Sequence, residues 1–367
     1  MINREAKLYP NKEQVKTLEL LLEQSRILYN HCLERKITEY KDNKKNLSRF
    51  DLQKEVRGFG DLPATLRQMV VYRLNNAYEG FFRRGGFPRF KKVGRYRSIP
   101  LRQYGRDYKL ANNRFSSWKK YGLDNIRTRG LQELNNPSSA IIVKRASGWY
   151  LQVSDEVENL KPKTVKKVVG IDLGLKYFTV DTDKKKIEAP KFIRKSELKL
   201  SHQYRLANKK KRGSNNKKRA YHLVALTQEK IANQRKDFLH KTSRYYADKY
   251  DLIAMEDLNI RGMVKNKHLS KSISDASWGI FTNMLSYKTK MLGKYLVKVN
   301  PQYTSQKCSQ CGEIVKKSLA VRTHRCLNCG LVMCRDENAS RNIIKLGLDK
   351  ANSESIPLGS SLTYKAS

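Results

Sequence analysis

Apolar residues recur along the chain at two spacings, which predict an opening strand followed by helices. Residues 2–9 have the character of a short strand, and a Pro-Asn-Lys sequence then breaks it. Apolar side chains recur at roughly helical spacing through residues 13–41, and a second helix is predicted from about Leu62 to Arg83. The N-terminal part is therefore expected to be helical after its first strand.

The pattern changes twice further along the chain. Short segments of alternating apolar and polar residues within residues 108–153 predict a small antiparallel β unit. Residues 161–163 are predicted to form a linker after it. Residues 194–250 have a helical pattern, which Gly-Ser-Asn at 213–215 is expected to divide into two helices. The Ser-rich residues after about Lys350 are predicted to be mobile.

Three carboxylates lie within or next to apolar segments of the predicted strands and helices. The sequence around Asp172 predicts a strand, a Gly-assisted turn and a second strand, and Glu256 ends another apolar strand. Asp336 opens a further predicted helix, where an Asp commonly serves as a cap. A carboxylate in such a strand costs several kcal/mol unless it is paired, hydrogen-bonded or metal-bound. Taken singly, each acid fits a structural role equally well.

Together the three acids favour a shared metal site. Phosphodiester hydrolysis uses divalent ions held by several carboxylates, one ion activating water and one stabilising the leaving oxygen. Two acids at strand ends and one at a helix start can converge on such a site. The chain contains no GxxxxGK[ST] motif for binding a nucleoside triphosphate and no evident Ser, His, Asp arrangement for nucleophilic catalysis. We therefore expect hydrolysis that does not consume a nucleoside triphosphate.

Four cysteines near the C-terminus form the most specific short motif of the sequence. Two CxxC pairs, each followed by Gly, are separated by 14 residues: Cys308 with Cys311, and Cys326 with Cys329. This arrangement predicts a zinc ribbon in a reducing compartment, and four thiolates predict a structural ion because they leave no open coordination position. His324 and Cys334 are close enough in sequence to be alternates, but ordinary core or surface placement is favoured for both.

The charge of the chain indicates a polyanionic partner. Its 76 Lys and Arg against 34 Asp and Glu give a formal net charge of +42, and 367 residues suffice for two or three compact units. An anionic membrane is the rival, but the sequence lacks both an apolar run of about 18 residues and a signal segment. Nucleic acid and a cytoplasmic or nucleoid-associated location are therefore expected. Residues 83–106 and 205–219, basic and without acids, are the predicted contacts.

The order of these motifs resembles a known family. GIDLGLKYF, AMEDLNIRGM, YTSQKCSQCG with HRCLNCG, and CRDENASRNI follow one another as in transposon-encoded TnpB proteins, which are related to type V CRISPR effectors. KLYPNKEQ, ILYNHCLERK and GFPRFKK extend the resemblance over nearly the whole chain, and SDASWGIFTNMLSYK matches the family's segment between the second acid and the ribbon. Cys334 and Ser340 depart from the usual residues, but neither departure removes a carboxylate.

The resemblance implies an RNA-guided DNA endonuclease of a prokaryotic transposable element. Asp172, Glu256 and Asp336 would hold two catalytic Mg²⁺ ions, and Cys308, Cys311, Cys326 and Cys329 a structural Zn²⁺. The partners would be a guide RNA and target DNA, with one protein expected per RNA. A DNA transposase proper and a non-catalytic, RNA-dependent DNA-binding regulator stay open as alternatives.

The implied fold is α/β with added α and β modules: an RNase H-like (RuvC) nuclease with an inserted zinc ribbon, a wedge β-barrel and a helical recognition lobe. The implied segments are residues 1–9 as the first barrel strand, 10–93 as the helical lobe, 94–162 as the rest of the barrel, 163–300 as the nuclease with its first two acids, 301–333 as the ribbon, 334–350 as the nuclease with its third acid, and 351–367 as a flexible tail.

Overall fold

The structure is a computed structural model that describes residues 2–131, 133–266, 269–318 and 321–359. The chain divides into two compact units, and the boundary between them lies between Val157 and Glu158. The finer division into the segments given above stays a prediction. Within the described ranges, no helix is both long enough and apolar enough to cross a membrane.

The N-terminal unit begins with the predicted strand and continues into helices. These elements are β1 (Ile2–Tyr9), α1 (Lys12–Asn43), α2 (Arg49–Glu55) and α3 (Ala64–Arg84). Helix α1 begins after Asn11, whose side chain accepts a 2.8 Å hydrogen bond from the Gln14 amide, while the Gln14 side chain accepts one from the Asn11 amide. The strand and the two predicted helices are confirmed, whereas the short helix α2 was not predicted.

The remaining strands of this unit join β1 in one antiparallel sheet. They are β2 (Ser98–Leu101), β3 (Tyr108–Ala111), β4 (Arg114–Ser117), β5 (Ile126–Arg129), β6 (Pro137–Arg145) and β7 (Gly148–Asp155). The strand order is β2-β6-β7-β1-β5-β4-β3. Near the two edges, the Tyr104 amide donates to Ser138 O of β6, and the Gly105 amide donates to Tyr108 O of β3. The sheet is therefore a nearly closed barrel, and the predicted antiparallel β unit is confirmed.

The C-terminal unit alternates strands and helices. Its elements are β8 (Val168–Leu173), β9 (Tyr177–Asp181), β10 (Lys186–Glu188), α4 (Phe192–Asn208), α5 (Asn215–Lys249), β11 (Leu252–Glu256), α6 (Ile260–Met263), α7 (Ser270–Ala276), α8 (Trp278–Met291), β12 (Tyr295–Val299), β13 (Thr323–Arg325), β14 (Val332–Cys334) and α9 (Arg335–Ser353). The predicted break between α4 and α5 is confirmed. Gly213 adopts a φ of 84° there, and the Ser214 side chain accepts a hydrogen bond from the Lys217 amide to start α5.

A five-stranded sheet with helices on both faces forms the centre of this unit. Its order is β10-β9-β8-β11-β12, with β8, β11 and β12 parallel to one another and β9 and β10 antiparallel to their neighbours. Along β11, Ile253 and Met255 share a hydrophobic core with residues of α5 and α8, while Leu252 and Ala254 share a core with α9. Because β8 and β11 are parallel, the acids at their carboxyl ends lie at the same edge of the sheet.

Residues after Lys350 are more ordered than the sequence suggested. Helix α9 continues to Ser353, and Ala351 is fully buried. The Val165 amide donates to Pro357 O, and the Gly359 amide donates to Val165 O. The predicted mobile tail is thus corrected for residues 351–359, which pack against the core of this unit because Ile356 and Leu358 add to its apolar contacts. Residues 360–367 lie outside the described ranges.

Candidate active site and metal centre

Asp172 and Glu256 lie at the ends of two hydrogen-bonded parallel strands. Ile171 of β8 is in register with Met255 of β11, so the next residue on each strand is one of the two acids. Both side chains are partly exposed, whereas their strand neighbours are buried. The prediction that both acids lie in buried strands is confirmed, and the parallel pairing brings them to one edge.

Asp336 joins this edge from helix α9. It lies in the first turn of the helix, as predicted, and it is 7% exposed. Burial raises the pKa of Asp172 well above its usual range, and the negative charges of Glu256 and Asp336 raise that pKa further. All three acids are therefore close enough to interact electrostatically, although they are far apart in sequence.

The three carboxylates are not gathered as tightly as ligands of a single ion. Among the described residues, only the cysteine cluster has its ligand atoms all within 4.8 Å of one another. Arginines stand beside the acids: Asp336 accepts through Oδ1 from Arg335 Nη2 at 2.8 Å, and its Oδ2 lies 3.5 Å from Arg322 Nη1. Both arginines also act to lower the pKa of Asp172. Two guanidinium groups thus contact Asp336 and also act on Asp172.

Glu256 has a hydroxyl partner from outside the sheet. The Thr304 hydroxyl donates to Glu256 Oε1 at 2.5 Å. Burial raises the pKa of Glu256, and this hydrogen bond opposes the shift. A groove of about 150 Å³ opens beside Glu256 and is lined in part by Thr282, Asn283 and Lys298. The carboxylate is therefore both held in place and accessible from the groove.

The four predicted cysteines form one cluster. Their sulfur atoms all lie within 4.8 Å of one another, with 3.6 Å between Cys308 and Cys329 and 3.5 Å between Cys311 and Cys326. Sulfurs bonded to a tetrahedral Zn²⁺ at about 2.3 Å are separated by about 3.8 Å, so the donor set fits this ion. Each pair is turned by a glycine of positive φ, Gly312 at 84° and Gly330 at 74°.

His324 and Cys334 lie outside the cysteine cluster. His324 is fully buried, and its Nδ1 contacts Lys317 Nζ. Cys334 is partly exposed at the end of β14. Neither joins the four sulfurs. The expectation that both have ordinary placements agrees with these positions.

The two basic segments leave most of their described charged side chains exposed. In the segment 83–106, Asn30 of α1 holds Lys91: its Nδ2 donates to Lys91 O at 3.0 Å and its Oδ1 accepts from the Lys91 amide at 2.7 Å. Phe87 and Phe90 of this segment are exposed. In the segment 205–219, most side chains are exposed at the end of α4 and the start of α5. Both segments therefore present cationic surface, and the first adds aromatic faces.

Sequence reasoning missed three residues of the acid site. Thr304 contacts Glu256, and Arg322 and Arg335 contact Asp336, but none of the three was predicted as a site residue, although Thr304 and Arg335 lie within the quoted motifs YTSQKCSQCG and CRDENASRNI. Arg335 is next to Asp336 in the chain, which is a signal that could have found it. Thr304 and Arg322 reach the acids only through the fold, so the sequence offers no comparable signal for them.

Family models match three parts of the chain. The IS605 OrfB “Helix-turn-helix domain” matches residues 2–45, the IS605 OrfB “Probable transposase” matches residues 151–267, and the “Cas12f1-like, TNB domain” matches residues 278–343. The first matched segment contains a strand and one continuous helix in this structure, so its name describes the family model and not this segment.

Relatives and a solved structure agree with these matches. A Streptomyces pristinaespiralis protein provisionally named RNA-guided DNA endonuclease is 30% identical, and the match covers 93% of this chain and 88% of the relative. A Methanocaldococcus jannaschii TnpB-like protein is 30% identical over 52% of this chain and 72% of its own length. The Cas12f1 chain of a Cas12f1-sgRNA-target DNA complex has the same fold, with a TM-score of 0.57, 17% identity, and coverage of 91% of this chain and 83% of that chain. From these similarities and the matching family models, the chain belongs to the TnpB family.

Proposed function

We propose that the chain is an RNA-guided DNA endonuclease of the TnpB type, which hydrolyses phosphodiester bonds in DNA. The observation that carries the proposal is the meeting of Asp172, Glu256 and Asp336, whose charges act on one another at one edge of the sheet. The Streptomyces pristinaespiralis relative, provisionally named for this activity and similar over 93% of this chain, supports it.

The proposed fold of the C-terminal unit is RNase H-like, of the RuvC type. Three parallel strands, two of which end in acids, and a helix that brings a third acid to them support this assignment. The cysteine cluster would be a zinc ribbon inserted between Glu256 and Asp336. The nearly closed barrel and helices α1 to α3 would serve as the wedge and the recognition lobe.

Asp172, Glu256 and Asp336 are the residues that would hold Mg²⁺, because carboxylate oxygens are the donors this ion prefers. When bound, two Mg²⁺ ions would supply activation of water and stabilisation of the leaving 3′ oxygen. Thr304 fixes one oxygen of Glu256 through its hydroxyl. Arg322 and Arg335 offset the repulsion among the carboxylates, which lowers the cost of gathering three negative charges.

The basic segments 83–106 and 205–219 would contact a guide RNA and its duplex with target DNA. Contacts to phosphates bind strongly but carry no sequence information, so the target would be selected mainly by base pairing with the RNA. The exposed aromatic residues Phe87 and Phe90 would add stacking faces for unpaired bases.

A cleavage assay with Asp172→Ala tests the proposal. Protein purified with its own RNA is given matching DNA and Mg²⁺, and we expect the substitution to slow cleavage roughly 1000-fold or more. RNA binding should be unchanged, because no positive charge is removed. The matched control is Asp237→Ala, since the Asp237 side chain is 61% exposed and pairs with Lys241, four residues along α5. Cleavage by Asp172→Ala at the rate of the control would contradict the proposed active site.

A DNA transposase proper is the second candidate, because the “Probable transposase” family model matches residues 151–267. A transposase would join the ends of a donor DNA to a target DNA, whereas the proposed endonuclease leaves free ends. Joined products from the purified protein in Mg²⁺ would favour the transposase.

A further inference from the structure

Two buried asparagines of α9 face the segment that leads into the cysteine cluster. Asn338 and Asn342 are four residues apart, so they lie on the same face of the helix. Asn338 is 0% exposed and Asn342 is 6% exposed. A buried amide is costly unless its donors and acceptor are satisfied, so the partners of these side chains indicate what they do.

The partners are backbone groups on both sides of Cys308. Asn338 Oδ1 accepts from the Ser309 amide at 2.9 Å, and its Nδ2 donates to Lys307 O at 2.7 Å. Asn342 Nδ2 donates to Lys307 O at 2.6 Å and to Thr304 O at 2.8 Å. The first cysteine of the cluster is thus bracketed by residues that α9 holds.

The same segment also reaches the acid site. Thr304, whose carbonyl oxygen binds Asn342, donates its hydroxyl to Glu256 Oε1 at 2.5 Å. Helix α9 carries Asp336 two residues before Asn338. The segment from Thr304 to Ser309 is therefore bonded at one end to Glu256, along its length to the helix of Asp336, and at Cys308 to the cysteine cluster.

We propose that Asn338 and Asn342 are positioning residues that lock the cysteine segment onto α9. Through Thr304, the lock transmits the state of the cysteine cluster to the carboxylate of Glu256, so that metal in the cluster helps to hold the acid site in shape. The link to catalysis rests on the proposed function, whereas the lock between α9 and the cysteines does not.

Asn342→Asp tests the lock directly. Aspartate has nearly the same shape but no N–H, so Thr304 O loses the Asn342 donor, Lys307 O keeps only its bond from Asn338, and both carbonyl oxygens face a negative charge. We expect the full chain loaded with zinc to release the metal to a chromophoric chelator about tenfold faster or more, as is usual when groups that support metal ligands are removed. The cobalt-loaded variant should also show an altered thiolate-to-metal absorption band. Zinc release and a cobalt spectrum identical to wild type would overturn the lock.

Asn352→Asp is the matched control. Asn352 lies on the same helix and is exposed, so the substitution makes the same change in charge without touching the cysteine segment. We expect wild-type zinc release and a wild-type cobalt spectrum. If this control released zinc as fast as Asn342→Asp, the effect would be one of charge and the lock would be wrong.

Thr304→Val tests the link to Glu256. Valine keeps the volume and the carbonyl oxygen that Asn342 binds but removes the hydroxyl, so zinc release should be unchanged. The Mg²⁺ concentration for half-maximal DNA cleavage should rise about tenfold, and removal of zinc from the wild-type protein should produce a rise in the same direction. An unchanged Mg²⁺ requirement in Thr304→Val would overturn the link. Failure of the wild-type protein to cleave DNA would instead contradict the proposed function, while the zinc-release measurements would still decide the lock.

Discussion

At the scale of single residues, the candidate site depends on how the negative charges of its acids are balanced by positive charge. The pKa of Asp172 is raised by burial and by two neighbouring carboxylates, so nearby positive charge favours its ionised form. Arg322 and Arg335 supply part of that charge. A site that needs further positive charge is suited to divalent cations, which is why we connect these residues with Mg²⁺.

A buried lysine away from the acids, Lys288, also has a pKa that is shifted by burial, and this shift affects the stability of the fold. Lys288 of α8 is 8% exposed, and its ammonium donates to His240 O and Ser243 Oγ, both at 2.7 Å. Burial lowers the pKa of Lys288 from 10.5 to about 8, with a smaller contribution from Arg244. Between these two values the unfolded chain binds more protons than the folded one, so this residue makes stability rise with pH.

Replacement of Lys288 by Met should therefore flatten the dependence of stability on pH. From pH 7 to 9.5, the free energy of unfolding of the wild type should rise by about 1–2 kcal/mol relative to Lys288→Met. Urea unfolding of both proteins at the two pH values measures this difference. The same pH dependence in both proteins would mean that the Lys288 amine is not desolvated as described.

Some residues of the acid site could be predicted from the sequence and others could not. Asp172 and Glu256 interrupt or end apolar runs, and this is a local signal. Thr304 and Arg322 carry no such signal, because their roles depend on interactions with acids 48 and 14 residues away. The sequence therefore predicts which acids to examine but not what holds them.

At the scale of elements, α9 approaches the sheet through small residues. A methyl group at Gly170 of β8 would lie 2.2 Å from Ser340 O, and one at Gly347 of α9 would lie 2.4 Å from the Cβ atom of Ala254. Atoms cannot come so close without a shift of the backbone. The absence of side chains at these positions is therefore what allows the helix of Asp336 to lie against the strands of Asp172 and Glu256.

Gly170→Ala should push α9 away from β8. We expect a loss of about 1–3 kcal/mol in the free energy of unfolding, as for other overpacked cores. DNA cleavage should fall as well, because Asp336 moves relative to Asp172. Urea unfolding and the cleavage assay measure the two effects.

Gly80→Ala provides the matched control. Gly80 lies in α3 with no atom within 4 Å of the added methyl group. Alanine favours a helix over glycine by about 1 kcal/mol, so this variant should be as stable as the wild type or more stable. Equal stability of Gly170→Ala and the wild type would contradict the close packing of α9 on the sheet.

The long helices were predictable one by one, whereas the shortest strands were not. Apolar periodicity predicted α1, α3 and the pair α4 and α5, because each is long enough for the period to repeat. The strands β2 to β5 have only four residues each, too few for the bounds of each strand to be predicted. Helix α2 has a local signal that was overlooked, the reciprocal cap between Ser48 and Asp51.

At the scale of the whole molecule, the net charge of +42 favours binding to a polyanion. If segment 205–219 binds RNA phosphates, affinity should fall steeply as salt rises, because counterions are released on binding. The exposed residues Lys209 to Arg212 are suited to a test, since they lie between α4 and α5 and stabilise neither helix through a described ion pair.

Replacement of these four residues by Ser should weaken the dependence of RNA affinity on salt. The slope of log affinity against log salt should decrease by up to about 3, because each phosphate of a single strand that is no longer neutralised lowers the slope by about 0.7. Replacement of Lys209, Lys210 and Lys211 by Arg keeps the charge and should keep the slope. A slope that is the same for the Ser variant and the wild type would show that this segment does not bind RNA phosphates.

The order of motifs carried more information about the whole chain than any single motif did. The order of two acids, four cysteines and a third acid along the chain indicated the TnpB family. The similarity to the Streptomyces pristinaespiralis relative over 93% of this chain, together with the TnpB-like relative, confirms that family. The composition alone indicated only a basic, folded protein. The arrangement of α9 between the acids and the cysteines depends on tertiary packing, and no sequence pattern specifies it.

The central claim, that three acids act as one catalytic centre, is tested most directly by comparing single substitutions with their combination. Single-turnover DNA cleavage by the RNA-loaded protein is measured for Asp172→Ala, Glu256→Ala, Asp336→Ala and the triple variant. If the acids act as a unit, each single variant should lose nearly as much activity as the triple variant, because groups that act together are not additive. A triple variant whose loss of activity equals the product of the three single losses would contradict the claim. A single variant that cleaves at the wild-type rate would also contradict it.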